Sequence, residues 1–295
     1  MEYTINFEEE FASRYPNHVF ILDYMRGAFN KEKVVWDDLT ALNLKKFMEY
    51  MKDKVCPNTI YSYCCFIKGF LNLVVDEVDL PTRRFSQILK IHKVPQENVA
   101  LNEEDVEKIY KYYMNIIDKE GGRNLIASKD VLTLFLIECY CGARGCDTEE
   151  LSERNIVDGR LTYVAKKTST LATMPVHHRI NFLLQHMPKR EYATASKNKI
   201  LKRICKEIGI NKEVTLFYHG RLQTGPKYKF IGMHTARRTF ASILASKGVP
   251  IVEIAQYMSH RDISMTERYI KVDTTHVSEG AIEFFCKKQE EDGNE

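Results

Sequence analysis

Residues 234–270 read HTARRTFASILASKGVPIVEIAQYMSHRDISMTERYI, and the order of reactive side chains in this stretch decides how the chain is read. His234 and Arg237 are three apart, so on a helix they share a face and can address one ligand. The start of that helix also favours an anion, because its backbone N–H groups lack partners there. Pro250 opens a short helix, a polar turn follows, and a second helix begins. His260 lies in that turn and Tyr269 follows nine residues later. Each feature alone is common, since H-x-x-R recurs by chance and a tyrosine near basic residues is usually a packing group.

Further features lie upstream in a fixed order. Arg144, in CGARGCD, stands just past a helix that is apolar nearly all round and ends at Gly142. A guanidinium there can present a planar fork to a phosphate, which lysine cannot match. Leu161–Ala165 and Leu171–Val176 look like two strands joined by the polar turn AKKTST. Lys166 and Lys167 alternate in direction along an extended segment, so only one can face a site.

Arg, Lys, His-x-x-Arg, His and Tyr in this order resemble the tyrosine recombinase (phage integrase) family, of the mobile-element integrase type. The likeness extends to unreactive positions: Asp147, Leu151 and Ile156 fall in the family's register behind Arg144. In the family the lysine lies eight residues before a proline closing the second strand, and counting back from Pro175 gives Lys167. Met258-Ser259-His260 departs from the usual Leu-Gly-His, so a glycine that eases a helix end is missing. Arg238 stands where many members carry a second histidine, and Asp147 replaces a commoner glutamate.

The resemblance implies site-specific cutting and rejoining of double-stranded DNA through a 3′-phosphotyrosyl intermediate. Arg144, Arg237 and His260 would stabilise charge on the phosphate, Tyr269 would attack, His234 would take its proton and Lys167 would protonate the leaving 5′-oxygen. Asp147 would support the site from behind. No metal, cofactor or ATP is implied, because the covalent link conserves the energy of the broken bond. Arg238, Lys166, Lys68, Arg83 and Arg221 are candidate DNA contacts. A homotetramer on two DNA sites follows from four strand cuts, and an accessory DNA-bending protein is left open.

The expected fold class is mainly α with a small antiparallel β-sheet: a helical core-binding domain and an α+β catalytic domain. The boundaries are 12–94 for the first, 95–99 for a linker around Pro95, and 100–275 for the second. Residues 276–295 form a tail whose Ile282, Phe284 and Phe285 call for a partner, either their own domain or, as the resemblance implies, a neighbouring protomer. Helices are expected near 17–29, 43–54, 59–74 and 82–92 in the first domain. In the second, Asn102 caps a helix, and an extended pair at Val214–Tyr218 and Lys227–Ile231 precedes the histidine block.

Composition permits this reading without demanding it. Net charge is +3, but residues 276–295 hold six acids against two lysines, a net −4, so the rest carries +7. That suits a polyanionic partner. The apolar run at Leu134–Ile137 is too short to span a membrane, and the acidic MEYTINFEEE is not a secretory signal, so a cytoplasmic location is expected. Cys64, Cys65, Cys139, Cys141 and Cys205 sit in apolar helical patterns as core thiols. Two rival readings are a non-catalytic regulator using residues 248–270 as a helix-turn-helix, and a type IB topoisomerase. The first has no need of Arg144, Lys167 and His234 in register; the short chain and the spacing of the last block argue against the second.

Overall fold

The structure is a computed structural model that describes residues 6–267 and Tyr269. By contact it divides into two units, one of residues up to Glu97 with Thr215–Gln223, the other of Asn98–Val214 with the residues from Thr224 onward. The fold is mostly helical with two small antiparallel sheets.

The first unit is built from α1 (Phe7–Arg14), α2 (Phe20–Phe29), α3 (Ala41–Lys52), α4 (Pro57–Val74) and the single turn α5 (Phe85–Ile88). Helix α1 lies partly outside the expected boundary at residue 12. Asn6 caps it, accepting from the Glu8 N–H at 3.1 Å, and Phe7 and Phe11 enter the core one turn apart. Phe70 gathers both rings edge-on and stacks on Trp36 at 5.9 Å. Glu8 is buried in turn, with Arg26 donating to both carboxylate oxygens and the Val34 N–H to one. The helix expected at 82–92 is confined to α5, because the chain beyond Leu89 runs without regular structure through Pro95 to Leu101.

The second unit packs around α7 (Arg123–Cys141), which contacts α6 (Glu103–Ile117), α9 (Ile180–Gln185), α10 (Thr194–Glu207) and α11 (Met233–Ser246). Burial on nearly every face of α7 explains its apolar run. Asn102 caps α6 by accepting the Asp105 N–H at 2.8 Å, as its position suggests. Gly142 ends α7 at φ +64, and a Cβ there would meet the Phe240 ring at 2.3 Å, so both conformation and space require glycine. The one-turn α8 (Gly145–Thr148) leads to a three-stranded sheet of β1 (Ile156–Val157), β2 (Arg160–Ala165) and β3 (Thr170–Pro175). Arg160 pairs with Pro175 and Ala165 with Thr170, leaving 166–169 as the turn. Helices α12 (Ile251–Tyr257) and α13 (Ser264–Glu267) complete the described part.

The second extended pair is β4 (Glu213–Tyr218) and β5 (Arg221–Pro226), which corrects the expected 227–231. His219 and Gly220 both have positive φ, the two-residue turn that suits strand twist, so the chain reverses at once and Arg221–Pro226 is strand rather than loop. Lys227–Phe230 forms a 3₁₀ turn instead. Thr215–Gln223 groups with the first unit, where Glu97 and Phe217 exchange two hydrogen bonds of 2.8 Å. Cys64, Cys139, Cys141 and Cys205 are core thiols as expected, but Cys65 is exposed on the outer face of α4. No helix among the described residues is long and apolar enough to cross a membrane. The tail residues 276–295 lie outside the described residues.

Candidate active site

Six side chains singled out from the sequence come from four places in the second unit. Arg144 precedes α8, Lys167 lies in the β2–β3 turn, His234 and Arg237 occupy the first turns of α11, and His260 and Tyr269 flank α13. Five of the six meet around one position, and Lys167 stands on the turn beside them.

Arg237 is the fixed point. It is 1% exposed, and its guanidinium donates to the main-chain carbonyls of Gly142 and Met258. Those oxygens terminate α7 and α12, where helix dipoles place partial negative charge. Burial, followed by the neighbouring Arg144 charge, presses its pKa below the usual arginine value. Arg144 donates weakly to the Ser259 carbonyl at 3.5 Å, and its Nη1 is buried with no partner among the described residues. Two guanidinium groups crowded together, one with an unsatisfied donor, make a cradle for an anion.

The two histidines frame the tyrosine. His234 Nε2 lies 3.1 Å from the Tyr269 hydroxyl, and the His260 ring centre is 5.6 Å from that of Tyr269. The Arg238 guanidinium lies over the Tyr269 ring, 5.6 Å from its centre. His260 is oriented by Thr266, whose buried hydroxyl meets Nδ1 at 2.7 Å, which leaves Nε2 for another partner. Withdrawal from water and the charges of Arg237, Arg144 and His234 push His260 down to about 4. His234 is also pushed down to about 4, by desolvation and then Arg238, Arg237 and Arg144, although the residue is exposed to solvent, which screens part of this effect.

The lysines depart from the strand geometry expected for them. Both lie in the 166–169 turn beyond the last ladder pair, so neither is directed by strand alternation. They are separated by their partners instead. Lys166 is paired with Glu150, and its N–H donates to Asp147 Oδ1 at 2.9 Å. Lys167 is exposed and makes no ion pair among the described residues. Asp147 is 4% exposed and so supports the turn that carries the lysines.

Ser259 adopts φ +51, the left-handed conformation a glycine would take without strain, and its hydroxyl is buried without a partner among the described residues. Of the candidate DNA contacts, Arg83 and Arg221 are exposed, Lys68 is half-buried on α4, Lys166 is held by Glu150 and Arg238 packs against Tyr269. Sequence reasoning passed over Thr266 and Arg261. Thr266 could have been found from its place three residues before Tyr269; Arg261 had no signal beyond its adjacency to His260.

A tyrosine between two histidines, next to paired arginines and a lysine-bearing hairpin on an α-rich fold, defines the class of the tyrosine recombinases. The phage integrase family matches residues 39–276. The tyrosine recombinase XerD of Rickettsia bellii (strain RML369-C) is 22% identical over 89% of this chain and 91% of its own. Among solved structures, a lambda integrase (75–356) dimer bound to a COC′ core site superposes with TM-score 0.62 at 12% identity, covering 94% of this chain and 93% of that one. The Tn1549 transposon integrase in complex with a circular intermediate DNA gives 0.59 at 14% identity, covering 96% and 99%. The chain belongs to the phage integrase family, and it is a site-specific recombinase that cleaves and rejoins DNA.

Proposed function

We propose that Tyr269 is the nucleophile and that the surrounding groups perform strand transfer without metal or ATP. The observation that carries this reading is the 3.1 Å approach of His234 Nε2 to the Tyr269 hydroxyl beside Arg144 and Arg237. A phenol is a weak acid, so its attack on phosphorus needs a base, and an imidazole held neutral is one. The Tyr269 proton passes to His234 as the Oη–phosphorus bond forms. The bond from phosphorus to the 5′-oxygen breaks, and that oxygen takes a proton from Lys167. Rejoining runs the same steps backwards, with the 5′-hydroxyl as nucleophile and Tyr269 as leaving group, so the linkage energy is retained.

Arg144, Arg237 and His260 Nε2 supply donors toward the non-bridging oxygens, where charge grows in the transition state. The first unit acts as the core-binding domain and the second as the catalytic domain on duplex DNA in the cytoplasm. Lys68, Arg83, Arg221, Arg238 and Lys166 contribute phosphate contacts whose affinity falls with salt. A mobile-element role accords with the likeness to a transposon integrase. The active assembly is a homotetramer on two sites, with residues 276–295 docking in trans, and an accessory DNA-bending protein would act on the DNA between sites.

The decisive experiment maps covalent adducts between the protein and the DNA flanking its gene. Tyr269→Phe should bind that DNA and form no denaturation-resistant adduct, whereas the parent protein should form one even in excess EDTA. Wild-type adduct levels in Tyr269→Phe would overturn the assignment, and a magnesium requirement in cleavage would overturn the metal-free route.

A further inference from the structure

We propose that Arg261 is a positioning residue for Lys167, fastening the β2–β3 turn to the segment that bears His260. The inference rests on the reading of Lys167 as the group that protonates the 5′-oxygen. Arg261 Nη2 donates to the Thr168 carbonyl at 2.7 Å, one residue beyond Lys167. On the other side of Lys167, the Lys166 N–H is held by Asp147 and the Lys166 ammonium by Glu150. The main chain of Lys167 is thus tied on one flank to the segment following Arg144 and on the other to the residue following His260.

The turn between these ties is itself ordered. The Ser169 N–H returns to the Ala165 carbonyl at 2.8 Å with Ser169 at φ +51, and the Thr168 and Thr170 hydroxyls meet at 2.7 Å. Only the Lys167 side chain is left to swing, over the reach of its four methylenes. Arg261 is exposed and covers none of the core, so its bond to Thr168 adds little to global stability. Its effect lies in where the turn is placed. A cationic donor to a backbone carbonyl is stronger than a neutral one, so this single bond can hold the turn in register with the His260 segment. Misplacing a reacting group by about 1 Å costs on the order of a hundredfold in rate.

The rival role for an exposed arginine beside this site is a contact to a DNA phosphate, and the test separates the two. Single-turnover cleavage is measured for wild type, Arg261→Ala, Lys167→Ala and the double variant. Each is run on ordinary DNA and on DNA with a 5′-bridging sulfur, a leaving group that needs no acid. Arg261→Ala should be about tenfold to a hundredfold slow on the ordinary substrate, near wild type on the sulfur substrate, and unchanged in DNA affinity. Adding Lys167→Ala should produce no loss beyond that of Lys167→Ala alone. Equal slowing on both substrates, an additive double variant, or weakened DNA binding that accounts for the defect would each overturn the proposal. If sulfur rescues Lys167→Ala but not Arg261→Ala, positioning fails and the acid assignment stands. If sulfur fails to rescue Lys167→Ala, the acid assignment falls and the role of Arg261 falls with it.

Discussion

The two cationic sides of the site are built in opposite ways. Arg237 is enclosed in the core, with one N–H of each terminal nitrogen given to a main-chain oxygen at the end of α7 or α12. Lys167 stands exposed on a four-residue turn whose backbone is tied down while its side chain is free. The difference matches the role proposed for each group. A group that stabilises charge works best when it need not reorganise at the moment of reaction. A proton donor must reach a leaving atom and withdraw, so a short freely rotating arm on an anchored turn serves it better.

The sharpest way to break this comparison is to remove the arm. Lys167→Ala should slow cleavage by about two to four orders of magnitude while leaving the unfolding midpoint unchanged. Lys166→Ala should give a smaller defect, since its ammonium is already committed to Glu150. A larger, sulfur-rescuable loss in Lys166→Ala would reverse the assignment of the two. On the enclosed side, Arg237→Lys should slow cleavage by about two to three orders of magnitude. Unlike the lysine variants it should also unfold more easily, because a single ammonium cannot satisfy two buried carbonyls set for a planar fork. Thermal melts in which Arg237→Lys and Lys167→Ala behave alike would remove the distinction.

A third test uses pH. His234 and His260 are both held below their ordinary value near 6.5. Between about 6.5 and about 4 the folded protein therefore binds fewer protons than the unfolded chain, so stability should fall as pH drops through that window. His177, pushed down to about 4 by burial against Tyr140 and by His178 and Arg179, adds to the same slope. Vanadate or DNA in the arginine cradle should raise the titration points of His234 and His260 but leave that of His177. Imidazole NMR titrations with and without the anion would show this, and a common shift of all three would contradict it. The smallest effect concerns Ser259. Ser259→Gly should stabilise the fold by about 0.5–1 kcal/mol, the relief of a left-handed conformation less the added freedom of the unfolded glycine. A destabilised variant in chemical denaturation would mean that the Ser259 hydroxyl does more than its unpaired state indicates.

The candidate site residues were legible through their family-like order and register: His234 and Arg237 lie one helical turn apart, and Lys167 came from the family's interval to Pro175. The Asn102 cap and the Gly142 terminus were legible because each is a property of a few adjacent residues. What escaped depended on distant partners. Helix α1 hides in an acidic opening stretch, and only Phe70 and Arg26 reveal that Phe7, Phe11 and Glu8 are interior groups. The β4–β5 reversal at His219–Gly220 was hard to place because the whole stretch from Gly220 to Pro226 is rich in turn residues. The separation of Lys166 from Lys167 came not from strand alternation but from Glu150 and Asp147, which lie sixteen and nineteen residues from Lys166.

The anchoring of Arg237 has a consequence for heredity. Both of its acceptors are peptide oxygens, and a peptide oxygen is encoded at every position, so no codon change at Gly142 or Met258 can delete either of them. Damage can arrive only by shifting the backbone, and the Phe240 ring against Gly142 is the place where such a shift would start. In a random library, inactivating changes on this side of the site should therefore gather at tightly packed neighbours such as Gly142. Second-site revertants of such lesions should be smaller side chains at Phe240, a buried residue that itself offers DNA no donor.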